Sequence, residues 1–191
     1  MRPAIIDLHI VQGSTLRDTL RLMQPRYEYR PITGISGSPL RLTVDHGLPG
    51  SWLAWVEGVN GMQGVNRSTR ESPHRVTVVD AATLEINALS AFCLSPSGGQ
   101  LIYKPPVDLT GATARMQIRA QLGGAVLLEL TTENGALAIT GLGTITRTLS
   151  AAQTAALTWT DGVYDLEVQF PDGTVQRYLQ GAVTVSREVT V

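Results

Sequence analysis

One cysteine, three histidines and a scatter of carboxylates are the reactive side chains of this 191-residue chain, and their spacing decides which chemistry is open to it. Cys93 lies in Phe92-Cys93-Leu94. A thiol nucleophile needs a neighbouring base and a setting that stabilises the thiolate. The apolar neighbours supply neither and predict a buried, inert thiol. His9, His46 and His74 lack the H-x-x-x-H kind of spacing that presents two imidazoles to one metal. His46 precedes Gly47 in a turn, where its ring is expected to bond the backbone. Asp161, Asp165, Glu167 and Asp172 do not build the D-x-[DN]-x-[DN]-G loop of a calcium site. Asp172-Gly173 reads as hairpin turn chemistry, and Asp165 and Glu167 as the wet face of a strand. Residues 58–64 (GVNGMQG) lack the lysine and the strand-to-helix setting of a phosphate loop and read as positive-φ turns. No G-x-S-x-G elbow is present. The expectation is a non-enzymatic chain with no catalytic residue, no metal ligand and no cofactor.

Binding residues are easier to nominate. Arg26-Tyr27-Glu28-Tyr29-Arg30 is the one aromatic-cationic cluster. Its rings and guanidinium groups could stack on bases or on a partner surface, or serve as linker packing. Trp52, Trp55 and Trp159 are bulky amphipathic side chains suited to an interface or to a core. Trp52 and Trp55 lie three apart and so point to opposite faces of a strand, which argues against a flat aromatic platform for a sugar. At the chain end, residues 186–191 (SREVTV) continue the alternation of Val183 and Val185, so Val189 and Val191 could add a strand to a neighbour's sheet edge. The candidate interface is therefore Arg26, Tyr27, Tyr29, Arg30, Trp52, Trp55, Val189 and Val191.

Composition limits the partners. Apolar residues make up 43% of the chain, enough for a core. The 15 basic and 16 acidic side chains nearly cancel, which disfavours bulk binding to nucleic acid or anionic membranes. A lone cysteine cannot form an intrachain disulfide. The N-terminus has no apolar signal region, and no stretch approaches the length of a membrane span. Folding in a reducing cytosol is expected.

The elements that must position these residues are strands. In the last third, residues 112–120 (ATARMQIRA), 125–131 (AVLLELT), 143–149 (GTITRTL), 163–170 (VYDLEVQF) and 174–185 (TVQRYLQGAVTV) are short, mostly alternating runs. Turn signals at Gly123-Gly124, Asn134-Gly135, Gly141-Leu142-Gly143 and Pro171-Asp172-Gly173 separate them. Such spacing predicts an all-β fold, an antiparallel sandwich. Residues 4–11 and 15–23 read as a hairpin about Gln12-Gly13-Ser14. Residues 32–106 have another texture: five short strands (40–44, 52–56, 75–79, 83–88, 101–104) joined by turns rich in Gly, Asn and Pro. They are expected to be a small β-barrel inserted into a discontinuous sandwich made of 1–31 and 107–191. The one helical segment is 150–157 (SAAQTAAL), with Ser150 as N-cap and Gln153 in the capping-box position.

Two resemblances follow from these motifs. Residues 107–119 (VDLTGATARMQIR), then AVLLELTTE, the 144–149 strand, the 150–157 segment, GVYDL, PDGT and residues 181–185 resemble a tailed-phage virion module, the N-terminal domain of upper baseplate proteins and related tail-associated proteins. The run 6–21 with Gln12-Gly13-Ser14-Thr15 is similar to that module's first hairpin, so the likeness covers a little over half the chain. The insert resembles the small barrel called the first catalytic-cysteine half-domain of ubiquitin-activating enzymes. The residues that carry this second likeness are His46-Gly47-Leu48, VEGVNGM, Asn66, VTVVD, TLEI and Ser97-Gly98-Gly99. That family's nucleophile lies outside this half-domain and Cys93 matches no motif cysteine, so no catalysis carries over. The resemblances imply a virion protein assembled in the bacterial cytoplasm and placed in the tail, neck or baseplate. Its partners would be other virion proteins and copies of itself, with no membrane involved. A head-decoration or head-completion protein and a carbohydrate- or receptor-binding module are the alternatives.

Overall fold

Alternating apolar residues and frequent turn signals give a chain whose regular secondary structure is almost entirely strand, with turns and loops between. The structure is a computed structural model that describes residues 2–188. In chain order its strands are β1 (Ala4–Ile5), β2 (Leu8–Val11), β3 (Leu16–Arg21), β4 (Glu28–Pro31), β5 (Gly34–Ser36), β6 (Leu40–Thr43), β7 (Trp52–Glu57), β8 (His74–Asp80), β9 (Thr83–Ile86), β10 (Gln100–Tyr103), β11 (Thr113–Arg119), β12 (Val126–Thr131), β13 (Leu137–Gly141) and β14 (Thr144–Leu149). The helix α1 (Ala151–Ala155) follows, then β15 (Asp161–Gln169) and β16 (Val175–Ser186). The fold is all-β.

The chain divides into two compact units, Met23–Val107 and an outer unit of Met1–Leu22 with Asp108–Val191. The first crossing falls at residues 22/23 and not at 31/32 as the sequence suggested. The reason is β4. Its residues Glu28 to Pro31 pair antiparallel with Tyr103 to Gln100 of β10, so this segment belongs to the inserted unit. Entering and leaving strands are zipped side by side: Met23 and Pro106 form a β-bridge, and Gln24 donates its backbone N–H to Pro105 O at 2.8 Å.

In the inserted unit the strand order is β4-β10-β7-β8-β9-β6-β5. The two border strands, β4 and β5, are consecutive in sequence. Between them Ile32 donates to Gly99 O on one side and Thr33 to Thr43 O on the other, so the sheet closes on itself as a barrel. Every second residue of β7 points inward. Trp52, Ala54 and Val56 are buried with Leu40, Leu42, Val76, Leu84 and Leu101 in one core. The loop after β7 is organised by Asn66, which bonds both the N–H and the C=O of Val59 at 2.9 Å and so stands in for a strand partner.

The outer unit holds a six-stranded sheet, β1-β16-β15-β11-β12 with β2 also on β16, and a three-stranded sheet, β13-β14-β3. The expected hairpin of 4–11 and 15–23 does not form. β2 pairs parallel with β16, and β3 pairs antiparallel with β14 in the other sheet. Gln12-Gly13-Ser14 is a corner between sheets because α1 clasps it. Gln12 Nε2 donates to the Ala155 and Leu157 carbonyls at 3.1 and 2.9 Å, and Thr154 Oγ1 donates to Ser14 O at 2.8 Å. The helix C-terminus, short of partners for its carbonyls, thus takes them from the corner. Its N-terminus carries the expected capping box between Ser150 and Gln153.

β1 and β2 act as one parallel strand broken at Ile6-Asp7, with the same register against β16 before and after the break. Asp7 Oδ1 accepts the Ala182 N–H at 2.9 Å, replacing the missing ladder bond. A Cβ on Gly181 would sit 2.2 Å from Ile6 O, so only glycine admits this approach.

Candidate interaction surfaces

Register places the nominated aromatic residues. Ile102 of β10 stands opposite Tyr29 of β4 and Trp55 of β7, so these three side chains project from the side of the sheet away from the barrel core, where Ile102 is itself buried. Tyr29 is 56% exposed and Tyr27 37%. The Tyr27 ring meets Trp55 edge to face, 5.7 Å between centroids and 77° between planes. Lys104 Nζ lies 5.3 Å over the Tyr27 ring, a cation–π contact. Trp55 Nε1 donates to Glu71 O at 2.8 Å. Tyr27 and Trp55 are therefore a contacting aromatic pair, and Tyr29 is a separate exposed ring across β10 from Trp55.

The remaining nominees behave differently. Arg26 and Arg30 are both clamped by Glu28, at 3.3 and 3.1 Å, so the cluster is not a free cationic patch. Alternation also sends Glu28 and Arg30 to the side of β10 occupied by Leu101 and Tyr103, away from Tyr29. Trp52 is 2% exposed and donates Nε1 to Lys104 O at 2.8 Å. It is a core residue, and its place in the interface set is corrected. Val189 and Val191 lie outside the described residues.

The wet face of the six-stranded sheet carries a charge lattice that the sequence did not single out. Arg115 of β11 pairs with Glu167 of β15 at 3.3 Å, and Arg177 of β16 bridges Asp165 and Glu167 at 3.1 and 3.5 Å. Gln117 Nε2 donates to Glu129 at 2.6 Å, and Arg119 donates to Gln117 Oε1 and Gly124 O. This lattice lines a shallow depression of about 620 Å³ bordered by Ile5 and Leu122. Asp165 and Glu167 are thus paired with arginine. Asp172 Oδ1 accepts the Thr174 N–H at 2.9 Å, a bond that holds its carboxyl below the ordinary pKa. The signal was present as the alternating Arg115, Gln117, Arg119 of one strand, but their partners sit on strands distant in sequence.

Each histidine is tied into the framework. His9 reaches Thr184 Oγ1 and Ser186 Oγ on the parallel neighbour β16. His46 is buried. Its Nδ1 accepts from Leu48 N–H, which leaves Nε2 to donate to Asp80 O at 2.9 Å. Buried His74 donates from Nε2 to Val65 O at 2.8 Å, and desolvation pushes its pKa down.

Cys93 overturns its expectation: it is exposed, with φ +59°. Leu94 N–H bonds Ala91 O at 3.0 Å, closing a turn in which Cys93 takes the left-handed position. Of its neighbours only Ala91 is buried, while Phe92 is 78% and Leu94 48% exposed. Apolar neighbours signal burial in a strand but not at a turn tip. One uncharged concavity lies on the outer unit. It is formed by the 109–112 turn and the β13–β14 hairpin, and lined by Leu109, Thr110, Ala112, Ile139, Leu142 and two glycines. On one face of the sheet edge, Asn134 covers the end of β12 by accepting Thr131 N–H and donating to Glu129 O, which blunts that edge against further strands. No protein-family model and no curated protein matches this sequence.

Proposed function

We propose that this chain is a non-enzymatic structural protein of a tailed-phage particle, placed in the tail, neck or baseplate, where it docks neighbouring subunits or a fibre. The reading rests on the order of motifs that resembles a phage upper-baseplate module. The observation that supports it best is the way the two units use their polar side chains. The ionisable groups of the outer sheet pair with each other, and the three histidines bond backbone or hydroxyl groups. What the surface offers is aromatic and aliphatic side chains on rigid strands and turns, the material of repeated protein contacts. A head-decoration role uses the same surfaces. The sugar-binding alternative is less favoured, because the edge-to-face geometry of Tyr27 and Trp55 leaves those two rings no common plane for a pyranose.

A mass-spectrometric census of purified particles from a lysate that expresses the chain tests this. The protein should be present at a fixed multiple of the tail or baseplate subunits. Its absence from particles would reject the reading, and co-purification with empty heads lacking tails would move it to the head.

A further inference from the structure

Two features on different units complement each other. The tip of the β9–β10 loop presents Phe92 and Leu94 to solvent, and no charged residue stands between Glu85 and Lys104 in the sequence. This tip is held in place. Ala91 is buried in the barrel core and donates to Gly37 O, Phe92 N–H bonds Ser90 Oγ, and Ser97 and Asn60 exchange two backbone bonds. Cys93 is the only non-glycine residue with positive φ among the described residues, a conformation that costs free energy and persists where the surroundings impose it. A large aromatic side chain on a fixed, strained turn is a pre-organised anchor, which binds without a further loss of loop entropy.

The complementary feature is the uncharged concavity on the outer unit, with a volume of about 380 Å³. Two other concavities of that unit are lined by arginine and glutamate and would strip water from those charges if a phenyl ring entered. This one would not. Its bordering carboxylate, Asp108, is turned onto its own loop, where it accepts from Thr110 N–H and Oγ1. We infer that the Phe92 tip of one copy seats in the Leu109–Ile139–Leu142 concavity of a second copy. The contact joins two different surfaces, so it either closes copies into a reciprocal dimer or ring or propagates them into a fibre. A bilayer is the less fitting occupant, because a fluid solvent gains nothing from a fixed turn and the loop sequence between Glu85 and Lys104 supplies no cation for headgroups. The inference deepens the structural reading above by naming how copies meet, yet it is tested on purified protein and does not depend on a phage.

The experiment uses full chains with one cysteine each. A tagged Cys93→Ser/Leu142→Cys chain is mixed with untagged wild type and oxidised mildly. A mixed disulfide is expected between the thiol introduced at position 142 of the tagged chain and the native Cys93 of the untagged one. It should far exceed that from a Cys93→Ser/Ala152→Cys control on the exposed face of α1. In sedimentation velocity at concentrations up to about 1 mM, the weak end of specific association, wild type should show concentration-dependent growth. Phe92→Ser and Leu142→Lys should each weaken it at least about tenfold with unchanged thermal midpoints. An equal mixture of these two variants should regain dimers and nothing larger. Crosslinking no greater than in the Ala152→Cys control, or association unchanged in Phe92→Ser, would overturn the inference. So would co-sedimentation of wild type with phosphatidylcholine vesicles that is lost in Phe92→Ser while no mixed disulfide forms. Presence or absence of the chain in particles bears on its virion role and leaves these outcomes unchanged.

Discussion

Arg147 is the group whose replacement reports most directly on how the outer unit is held together. It points from β14 into the sandwich and is 3% exposed. Nη2 donates to Asp18 at 2.7 Å, while Nε and Nη1 have no hydrogen-bond partner. Its guanidinium carbon lies 6.0 Å from the Tyr164 ring centre on the facing sheet. The opposing effects can be weighed. Two orphaned buried donors cost about 1 kcal/mol each at the least. The ion pair, with Asp18 partly in water at 43% exposure, is worth about 1 kcal/mol. A cation–π contact at the limit of its range adds about 0.5–1 kcal/mol. These effects cancel, and methionine of similar length adds apolar packing. Arg147→Met should therefore leave stability within about 1 kcal/mol of the parent or raise it. Asp18→Ala should cost about 2–3 kcal/mol, because it leaves a buried cation unpaired. The double variant should recover most of that loss, giving a coupling on the order of 1–2 kcal/mol. Urea unfolding followed through Trp159, the one tryptophan of the outer unit, reads all four corners of the cycle. A loss above about 3 kcal/mol in Arg147→Met would refute this weighing and show that the guanidinium contributes structure beyond its visible partners.

His74 predicts a pH dependence confined to the barrel. Its folded-state pKa lies below 6.5 because of burial, so the unfolded chain takes the proton first as pH falls through about 6.5. Stability should be full above that value and fall below it by up to about 1.4 kcal/mol per pH unit, and His74→Gln should remove that slope in urea titrations between about pH 7.5 and 5. Gly181→Ala should push Ile6 off β16, and hydrogen exchange at Ile6 and Ala182 should rise well beyond exchange at Leu166; unchanged protection at Ile6 would contradict the close approach. Ser150→Ala removes one half of the capping box and should cost about 1 kcal/mol of outer-unit stability by urea midpoint. Cys93 should react with Ellman's reagent to completion in the native protein, and a thiol that stays silent until denaturant is added would restore the buried reading.

Much of the outer unit was legible because its strands alternate strictly. Tyr164, Leu166 and Val168 against Asp165 and Glu167 admit one register of inside and outside, and β15 follows it. Turns with Asp-Gly or Gly-Gly named their hairpins for the same local reason. Pairing between distant strands was not legible. Leu8 and Ile10 alternate whether their partner is β3 or β16, and the choice of β16 rests on contacts distant in sequence: the clasp of Gln12 by the end of α1, Asp7 on Ala182, and His9 on Thr184 and Ser186. β4 was missed because Arg26 to Pro31 mixes charge, aromatics and proline without an apolar period, its ladder being set by β10 at the far end of the insert. Trp52 and Trp55 face opposite ways, as a period of two requires, yet period alone does not say which one faces the core. Cys93 failed because a turn tip and a strand interior share the same three-residue apolar signature.

The parallel seating of β1 and β2 along β16 has a mechanical consequence. Residue 4 begins one strand and residue 186 ends its neighbour, and the two strands run the same way. A load applied between these points drags the strands past each other lengthwise, so the ladder resists in shear and its bonds share the force together, where a hairpin would unzip one bond at a time. Tension then crosses from β1–β2 to β16 without passing along the intervening chain. The barrel of Met23–Val107 is spliced into a slack segment, shielded from stretching for as long as that single seam holds.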